Sequence, residues 1–251
     1  MRGLIDDLRR ASDPCATFET AVGNPAEPWQ AGVLSSRARR QVLLAARQSG
    51  KSSTIASKVA HRVRYRRDQL VLVFSPSQRQ SDEQLARIRT VLRRLGPVEG
   101  NASELRLSNG SRVVSLPGSS ESTIRGFSAV DLLVYDEAAY VAENIFTASL
   151  PMLSGRGQLV LLSTPGPRQG FLWDVWNSTD PTWRWEKTKV RAVDSAQWPA
   201  DRIADMRRSL SPREAAVELD CEFAGSADSV FDPVRVEAMF VPAAAIRLDV
   251  W

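Results

Sequence analysis

The segment from Ala45 to Ser52, which reads AARQSGKS, has the residue types of a phosphate-binding loop. The usual pattern is G-x-x-x-x-G-K-[ST], and here Ala45 replaces its first glycine. Lys51 would reach the β- and γ-phosphates of a nucleotide, and Ser52 would offer its hydroxyl to Mg²⁺. Gly50 lets the backbone approach the phosphates closely, because it has no side chain. An apolar run before the segment and a helical pattern after it favour this loop over an ordinary basic turn.

Two adjacent carboxylates, Asp136 and Glu137, follow the apolar run 132–135. In enzymes with a phosphate loop, the first acid of such a pair holds Mg²⁺, and the second can orient and deprotonate the attacking water. Open α/β sheets bind ligands at the carboxyl ends of their strands, which is where this pair would lie. The alternative is a helix cap, since acidic residues are common there. The neighbouring glutamate favours hydrolysis over nucleotide binding alone.

Three further features are ambiguous from the residues alone. Ser163, Thr164 and Pro165 end another apolar run; the hydroxyls could sense the γ-phosphate, or they could be plain turn residues. Arg47 adds a second positive charge within the loop, unless it points into solvent. Arg125 could stabilise transition-state charge in cis or from a neighbouring subunit, or it could be a surface arginine.

The elements that would position these residues follow from hydrophobic periodicity. Runs that are apolar throughout are typical of parallel strands covered on both faces, and they occur at 41–45, 70–74, 131–135 and 158–163. Helical spacing predicts helices at 51–67 and 78–95, with others near 199–209 and 212–220. A hairpin is expected around Asn109-Gly110, between 104–107 and 112–116. The segment 1–30 reads as a short amphipathic stretch followed by Pro/Asn/Gly-rich residues. The prediction is an α/β fold with a mainly parallel central sheet flanked by helices on both faces.

Composition narrows the class of protein further. His61 is the only histidine in 251 residues, which excludes histidine-based catalytic triads. The two cysteines, Cys15 and Cys221, have no metal-like spacing and indicate a reducing compartment. No apolar stretch has the length of a signal peptide core or a membrane span, so we expect a soluble intracellular protein without a membrane partner.

A net charge of +4 and a pI near 9.4 are compatible with a polyanionic partner. Two arginine clusters could follow a nucleic-acid backbone, although either could be a solvated helix face. The tryptophans between 173 and 198 favour packing over base stacking. The clusters are Arg62, Arg64, Arg66 and Arg67, and Arg87, Arg89, Arg93 and Arg94.

Taken in order, the motifs resemble the ATPase half of a large terminase subunit, the motor that packages DNA into procapsids of tailed phages and herpesviruses. The resemblance covers roughly residues 18–225. It rests on the ordered motifs WQ, RQSGKS, RGF, LVYDEAA and STP, which begin at Trp29, Arg47, Arg125, Leu133 and Ser163. It implies a P-loop NTPase fold of the RecA-like, ASCE type.

The resemblance also implies a role for each matched residue. Gln30 would lie by the adenine, and Asp136 would hold Mg²⁺ together with Ser52. Glu137 would be the catalytic base, and Arg125 an arginine finger acting on the neighbouring subunit. Coupling of hydrolysis to movement would use Ser163, Thr164 and Pro165. The remaining nucleotide contacts would come from Arg47, Gln48, Ser49, Gly50, Lys51, Ser52 and Ser53.

The implied cofactors are ATP and Mg²⁺, and the implied partners are double-stranded DNA, a homo-oligomeric ring on the procapsid portal and a small terminase subunit. The location would be the host cytoplasm. We expect residues 1–225 to form the ATPase domain and 226–251 a linker or tail toward a nuclease domain absent from this chain, so nuclease activity is not expected. The alternatives are a helicase-like, nucleic-acid-stimulated ATPase and a nucleotide-gated assembly protein.

Overall fold

The computed structural model describes residues 2–118 and 126–225. The described residues contain one eight-stranded sheet, ordered β3-β4-β5-β2-β6-β7-β1-β8. Its strands are β1 (Arg40–Ala45), β2 (Leu70–Ser75), β3 (Glu99–Gly100), β4 (Glu104–Arg106), β5 (Arg112–Pro117), β6 (Val130–Asp136), β7 (Leu153–Ser163) and β8 (Glu186–Val190).

Helices connect the strands and cover the sheet. They are α1 (Arg2–Ser12), α2 (Pro14–Val22), α3 (Pro28–Ser35), α4 (Lys51–Tyr65), α5 (Gln78–Leu95), α6 (Glu143–Ser149), α7 (Phe171–Asn177), α8 (Ala200–Ser209) and α9 (Pro212–Glu218). Short 3₁₀ turns occupy Ala138–Tyr140, Leu150–Met152 and Ala192–Asp194. Within the described ranges, none of these helices is both long and apolar enough to cross a membrane.

In the sheet order, the pairs from β5 to β8 are parallel, whereas the β3–β4 and β4–β5 pairs at one edge of the described sheet are antiparallel. The predicted α/β fold class is therefore confirmed. Strand β7 lies between β1 and β6, pairing in parallel with both. The strand that precedes the phosphate-loop segment and the strand that ends in the acid pair are thus separated by one strand.

Two hydrophobic clusters lie on opposite faces of the sheet. Side chains alternate along a strand, so that β2 sends Val71 and Val73 into one cluster and Leu72 and Phe74 into the other. Helices α4 and α5 pack on the first face, whereas α6 and α7 contribute to the second. This three-layered arrangement explains why the central strands are apolar throughout.

The core elements lie where periodicity predicts them. Helix α5 has the predicted bounds, the hairpin turns around Asn109-Gly110, and Trp173 and Trp185 pack against the core. Within residues 1–30, the predicted amphipathic stretch forms α1, but the residues after it also form α2 and the first turn of α3, which was not predicted. Helix α2 carries ordinary boundary signals: an Asp13 cap, Pro14 at its start and Gly23 at its end.

Strand β8 and helices α6 and α7 were not predicted, and β7 begins at Leu153, earlier than expected. Strand β8 reads EKTKV, and only Val190 is buried, because the strand forms an edge of the sheet. Its polar sequence therefore lacks the apolar signature of the central strands. Arg125 and the predicted tail 226–251 lie outside the described residues.

Candidate nucleotide-binding site

Three of the sequence motifs meet at the carboxyl edge of the parallel sheet. In the strand register, Leu44 of β1 lies opposite Ser163, and Asp136 of β6 lies opposite Leu162. The phosphate-loop segment, the hydroxyl pair and the acid pair therefore leave three adjacent strands at one level. This edge is where open α/β sheets bind ligands.

The segment between β1 and α4 has the backbone of a tight loop. Gln48 and Gly50 have φ angles of 58° and 92°, in the left-handed region that favours glycine. A Cβ atom on Gly50 would lie 3.1 Å from the Nε2 atom of Gln30. Because Gly50 immediately precedes α4, the first amide groups of that helix face the carboxyl edge. Such amides have no partner within their own helix and attract anions.

The other loop residues lie in or beside this turn. Ser49 is buried, and its hydroxyl has no hydrogen-bond partner among the described residues. Ser52 and Ser53 are partly buried in the first turn of α4. The Oε1 atom of Gln30 accepts a hydrogen bond from the Glu27 amide at 2.8 Å, which caps α3. Gln30 therefore contacts the loop from a fixed position at the start of α3.

Asp136 is buried at the end of β6, with 7% of its surface exposed. Its Oδ1 atom has no hydrogen-bond partner within the described part of the chain. Burial, together with the charge of Glu137, raises the pKa of Asp136 to about 6, and Lys51 opposes this rise. A buried carboxylate oxygen without a donor fits the oxygen ligand that Mg²⁺ requires. The residues present can therefore accommodate the ion.

Glu137 connects the three motifs. Its Oε1 atom lies 2.9 Å from the Lys51 ammonium nitrogen. Its Oε2 atom lies 3.4 Å from the Thr164 amide nitrogen and from the hydroxyl oxygens of Ser163 and Thr164. The residue has a φ of 50°, which is uncommon outside glycine and often occurs at functional sites. This backbone conformation holds its carboxylate between α4 and the end of β7.

The hydroxyl pair is buried behind this carboxylate. Ser163 and Thr164 are 0% and 3% exposed, and Pro165 is buried as well. The Ser163 hydroxyl oxygen also accepts a hydrogen bond from the Ala139 amide at 3.2 Å. Ser163 thus touches Glu137 and the turn that follows it.

Three residues contact the loop although no sequence motif marks them. The Trp198 indole donates to the Arg47 carbonyl at 2.8 Å. Arg202 lies 4.3 Å over the Trp198 ring and donates to the side-chain oxygen of Gln48. Glu218 pairs with Arg47 at 3.1 Å, and the Arg47 side chain is 67% exposed. These residues lie in or near α8 and α9, far from the loop in the sequence. No local sequence pattern therefore indicated that they contact the loop.

A phosphate-type loop, an acid pair two strands away and hydroxyls on the intervening strand define a P-loop NTPase fold of the RecA-like, ASCE type. The family described as "Terminase large subunit, T4likevirus-type, N-terminal" matches residues 42–234. The chain belongs to this family.

Solved structures share the fold. The ATPase domain of the large terminase of Thermus phage P74-26 is 20% identical, with a TM-score of 0.71, covering 84% of this chain and 99% of that chain. The large terminase of the thermophilic bacteriophage D6E, solved with ADP, is 13% identical, with a TM-score of 0.68 and coverage of 80% and 54%. The large terminase of bacteriophage HK97 is 18% identical, with a TM-score of 0.64 and coverage of 85% and 55%. The chain thus spans about half the length of the D6E and HK97 large terminases.

The burial of Asp136 predicts a stability effect in the nucleotide-free protein. Its folded-state pKa of about 6 exceeds the ordinary value near 3.9, so the folded state binds the extra proton between these pH values. Stability therefore falls as pH rises through this window, by up to about 3 kcal/mol. We expect Asp136→Asn to raise the thermal unfolding midpoint at pH 7.5, and the gain to vanish near pH 4.

The exposed Asp6 provides a matched control, since Asp6→Asn makes the same chemical change on the solvent-facing α1. Unfolding would be followed by circular dichroism without nucleotide or Mg²⁺. A midpoint for Asp136→Asn equal to or below that of the unmodified chain at pH 7.5 would contradict the expected cost of burying this charge.

Proposed function

We propose that this chain is the ATPase module of a large terminase, which hydrolyses ATP and drives double-stranded DNA into a viral procapsid. The observation that carries the proposal is the position of the Glu137 carboxylate, between the Lys51 ammonium and the hydroxyls of Ser163 and Thr164. If Glu137 is the general base, its contacts with Lys51, which would bind phosphate, and with the hydroxyls at the end of β7 suit it to ATP hydrolysis.

In this proposal the loop and the acid pair divide the chemistry. Lys51 and the first amides of α4 bind the β- and γ-phosphates, and Gly50 lets the loop backbone approach them closely. Ser52 and Asp136 hold Mg²⁺, which supplies charge neutralisation on the phosphates when bound. Glu137 orients the attacking water and accepts its proton. Gln30 lies by the adenine, and Gln48, Ser49 and Ser53 complete the nucleotide contacts.

The contact between Glu137 and Thr164 supplies a route from hydrolysis to movement. When phosphate enters the site, Lys51 leaves the Glu137 carboxylate and binds phosphate oxygens. Glu137 then keeps its contacts with Ser163 and Thr164 but loses its contact with Lys51. Ser163 and Thr164 then transmit this change to the segment after Pro165. Arg47 pairs with Glu218 and becomes available to phosphate once that exposed ion pair opens.

The assembly is part of the same proposal. Arg125 acts as an arginine finger on the neighbouring subunit of a homo-oligomeric ring. The ring sits on the procapsid portal in the host cytoplasm, together with a small terminase subunit. The family membership supports these partners, and the described surface supports a DNA contact through its basic clusters.

ATP turnover measured with and without linear duplex DNA tests the function. We expect Mg²⁺-dependent hydrolysis that duplex DNA stimulates several-fold, and displacement of a third strand from a DNA triplex without separation of the duplex. The Glu137→Gln variant controls for contaminating ATPases. Absence of hydrolysis in the presence of both Mg²⁺ and DNA would refute the proposal, and unwinding of a forked duplex would favour the helicase-like alternative.

A further inference from the structure

A basic cleft lies at the amino edge of the parallel strands, opposite the carboxyl edge that holds Lys51 and Glu137. This amino-edge cleft has a volume of about 540 Å³ and is bordered by the ends of α3 and α4 and by residues of β6 and β7. Its cationic lining residues are Arg37, Arg39, Lys58, Arg62, Arg66 and Arg156.

The two inner cations hold the floor of the cleft together. The Lys58 ammonium donates to the carbonyls of Val33, Leu34 and Ser36, which end α3, at 2.7, 3.4 and 3.1 Å. Burial lowers the pKa of Lys58 to about 8. Arg62 is buried and donates to the side-chain oxygen of Gln69 at 2.9 Å. These residues have structural partners and are not free to bind a ligand.

The four outer arginines, Arg37, Arg39, Arg66 and Arg156, are exposed at the mouth of the cleft. In the described part of the chain, none of them has a carboxylate within salt-bridge distance. Some exposed arginines elsewhere on the surface do have such partners, namely Arg9 with Glu19, Arg106 with Glu104 and Arg208 with Asp205. Others, such as Arg67, Arg87 and Arg93, have none within the described residues.

The charge in this cleft is large for the size of the protein. Six cationic side chains and one carboxylate, Asp13, line it, whereas the whole chain has a net charge of only +4. Burial is the main cause that lowers the pKa of Lys58 and of Arg62, and the charge of Arg66 lowers both further, so these cations repel one another. The carboxylates of Glu186 and Asp131 oppose the shift at Lys58 and Arg62 respectively. A bound anion would relieve this repulsion, because opposite charge favours the ionised form of each group.

We propose that the amino-edge cleft binds the phosphodiester backbone of duplex DNA. The inference rests on the proposed function and assigns a DNA contact to it. All four outer cations are arginines, whose planar guanidinium groups match phosphate oxygens. They come from the α3–β1 connection, the end of α4 and β7, so they can meet several phosphates rather than one.

Three arginines of α5 are engaged within the protein, whereas Arg87 and Arg93 have no hydrogen-bond or ion-pair partner among the described residues. Arg79 pairs with Glu83, and Arg89 and Arg94 donate to the backbone carbonyls of Asn101 and Ala21. Among the residues that the structure describes, the outer arginines of the amino-edge cleft have no comparable contacts, so binding DNA there would not break contacts seen in this part of the chain. This difference favours the cleft over these α5 side chains as a backbone contact.

Helix α4 connects this cleft to the nucleotide site. It begins with Lys51 in the phosphate loop, carries Lys58 and Arg62 in the cleft floor, and ends at Tyr65. Its 15 residues span about 22 Å at the usual rise per residue. Helix α4 therefore joins the two edges of the sheet, and DNA bound in the cleft would lie against the same helix that carries Lys51 at its other end.

The test compares two triple variants of the full chain with equal loss of charge. Arg37→Ala/Arg39→Ala/Arg156→Ala removes three outer arginines, and Arg9→Ala/Arg106→Ala/Arg208→Ala is the control. Binding of a fluorescent duplex would be measured by anisotropy from about 50 to 200 mM salt. We expect the cleft variant to bind at least about tenfold more weakly, with a salt slope smaller by about 2–3. The control should remain within about twofold of the unmodified chain, because exposed ion pairs contribute little.

Two controls accompany this comparison. Circular dichroism must show that the cleft variant folds, and a triple Arg→Lys variant, which keeps the charge, should recover much of the binding. Equal DNA binding by the cleft and control variants would overturn the proposal. The proposal would also be overturned if the cleft variant lost binding to pyrophosphate or to poly-glutamate while its binding of duplex DNA stayed unchanged. Loss of pyrophosphate binding would identify a small-phosphate site, and loss of poly-glutamate binding would identify an acidic protein partner.

The same measurements separate this inference from the proposed function. Duplex binding by the unmodified chain, without any loss in the cleft variant, would refute the cleft and leave the motor proposal standing. Cleft-dependent duplex binding without ATP hydrolysis would refute the motor and leave the cleft. An unmodified chain that binds no duplex would refute both.

Discussion

Glu137→Gln should lower ATP turnover by a factor of about 10²–10⁴ while ATP binding persists, because the amide cannot accept a proton from water. The substitution keeps the size of the side chain, so the contacts with Ser163 and Thr164 can be preserved. It also removes the carboxylate that lies 2.9 Å from the Lys51 ammonium. Lys51 is then free to bind phosphate, and we expect nucleotide affinity to stay the same or rise.

Single-turnover hydrolysis and binding of a fluorescent ATP analogue would measure the two effects separately. The exposed Glu143 on α6 offers a control of the same chemistry, since Glu143→Gln removes an acid outside the site. Turnover of Glu137→Gln within a few-fold of the unmodified chain would rule out Glu137 as the base. Loss of nucleotide binding would show instead that the ion pair with Lys51 maintains the loop.

Arg125→Ala should lower turnover by about 10³-fold or more, which is the usual contribution of an arginine finger. Within the described residues, Lys51 is the cation that contacts Glu137, and Arg47 is paired with Glu218. Arg87 lies close enough for its charge to act on the pKa of Asp136. An arginine supplied by the neighbouring subunit would add positive charge at the γ-phosphate in the transition state.

Mixing the two inactive variants distinguishes a finger in trans from one in cis. In a ring that contains both, some interfaces join an intact Glu137 to an intact Arg125 from the next subunit. We therefore expect partial recovery of ATP turnover, which neither variant shows alone. Mixing Glu137→Gln with a Glu137→Gln/Arg125→Ala double variant is the control, because no interface there regains a base. A lack of recovery in mixtures shown to form rings would place Arg125 in cis.

The central elements could be predicted from the sequence because their burial leaves a strong pattern. Strand β2 is apolar throughout, and α5 repeats its apolar residues at helical spacing over 18 residues. The elements that were missed have weaker patterns. Strand β8 is polar because it forms an edge, and α2 is a short helix whose boundary residues, Asp13 and Gly23, also fit a loop.

The sequence by itself indicated candidate residues for binding phosphate and Mg²⁺, because the loop, the acid pair and the hydroxyl pair are each local in the chain. Their positions after apolar runs also indicated that they share one edge of a parallel sheet. The family resemblance rests on the order of these motifs along the chain, because any one of the motifs by itself occurs in other protein families.

Only the tertiary structure decided how these groups face one another. Contact between Lys51, Glu137 and Thr164 depends on the placement of β7 between β1 and β6, which no local pattern specifies. The pairing of Arg47 with Glu218 joins residues distant in sequence, and the mutual repulsion of arginines in the amino-edge cleft arises from packing of α3, α4 and β7. Electrostatic energy depends on distance in space and on burial, and both are set only when the chain folds.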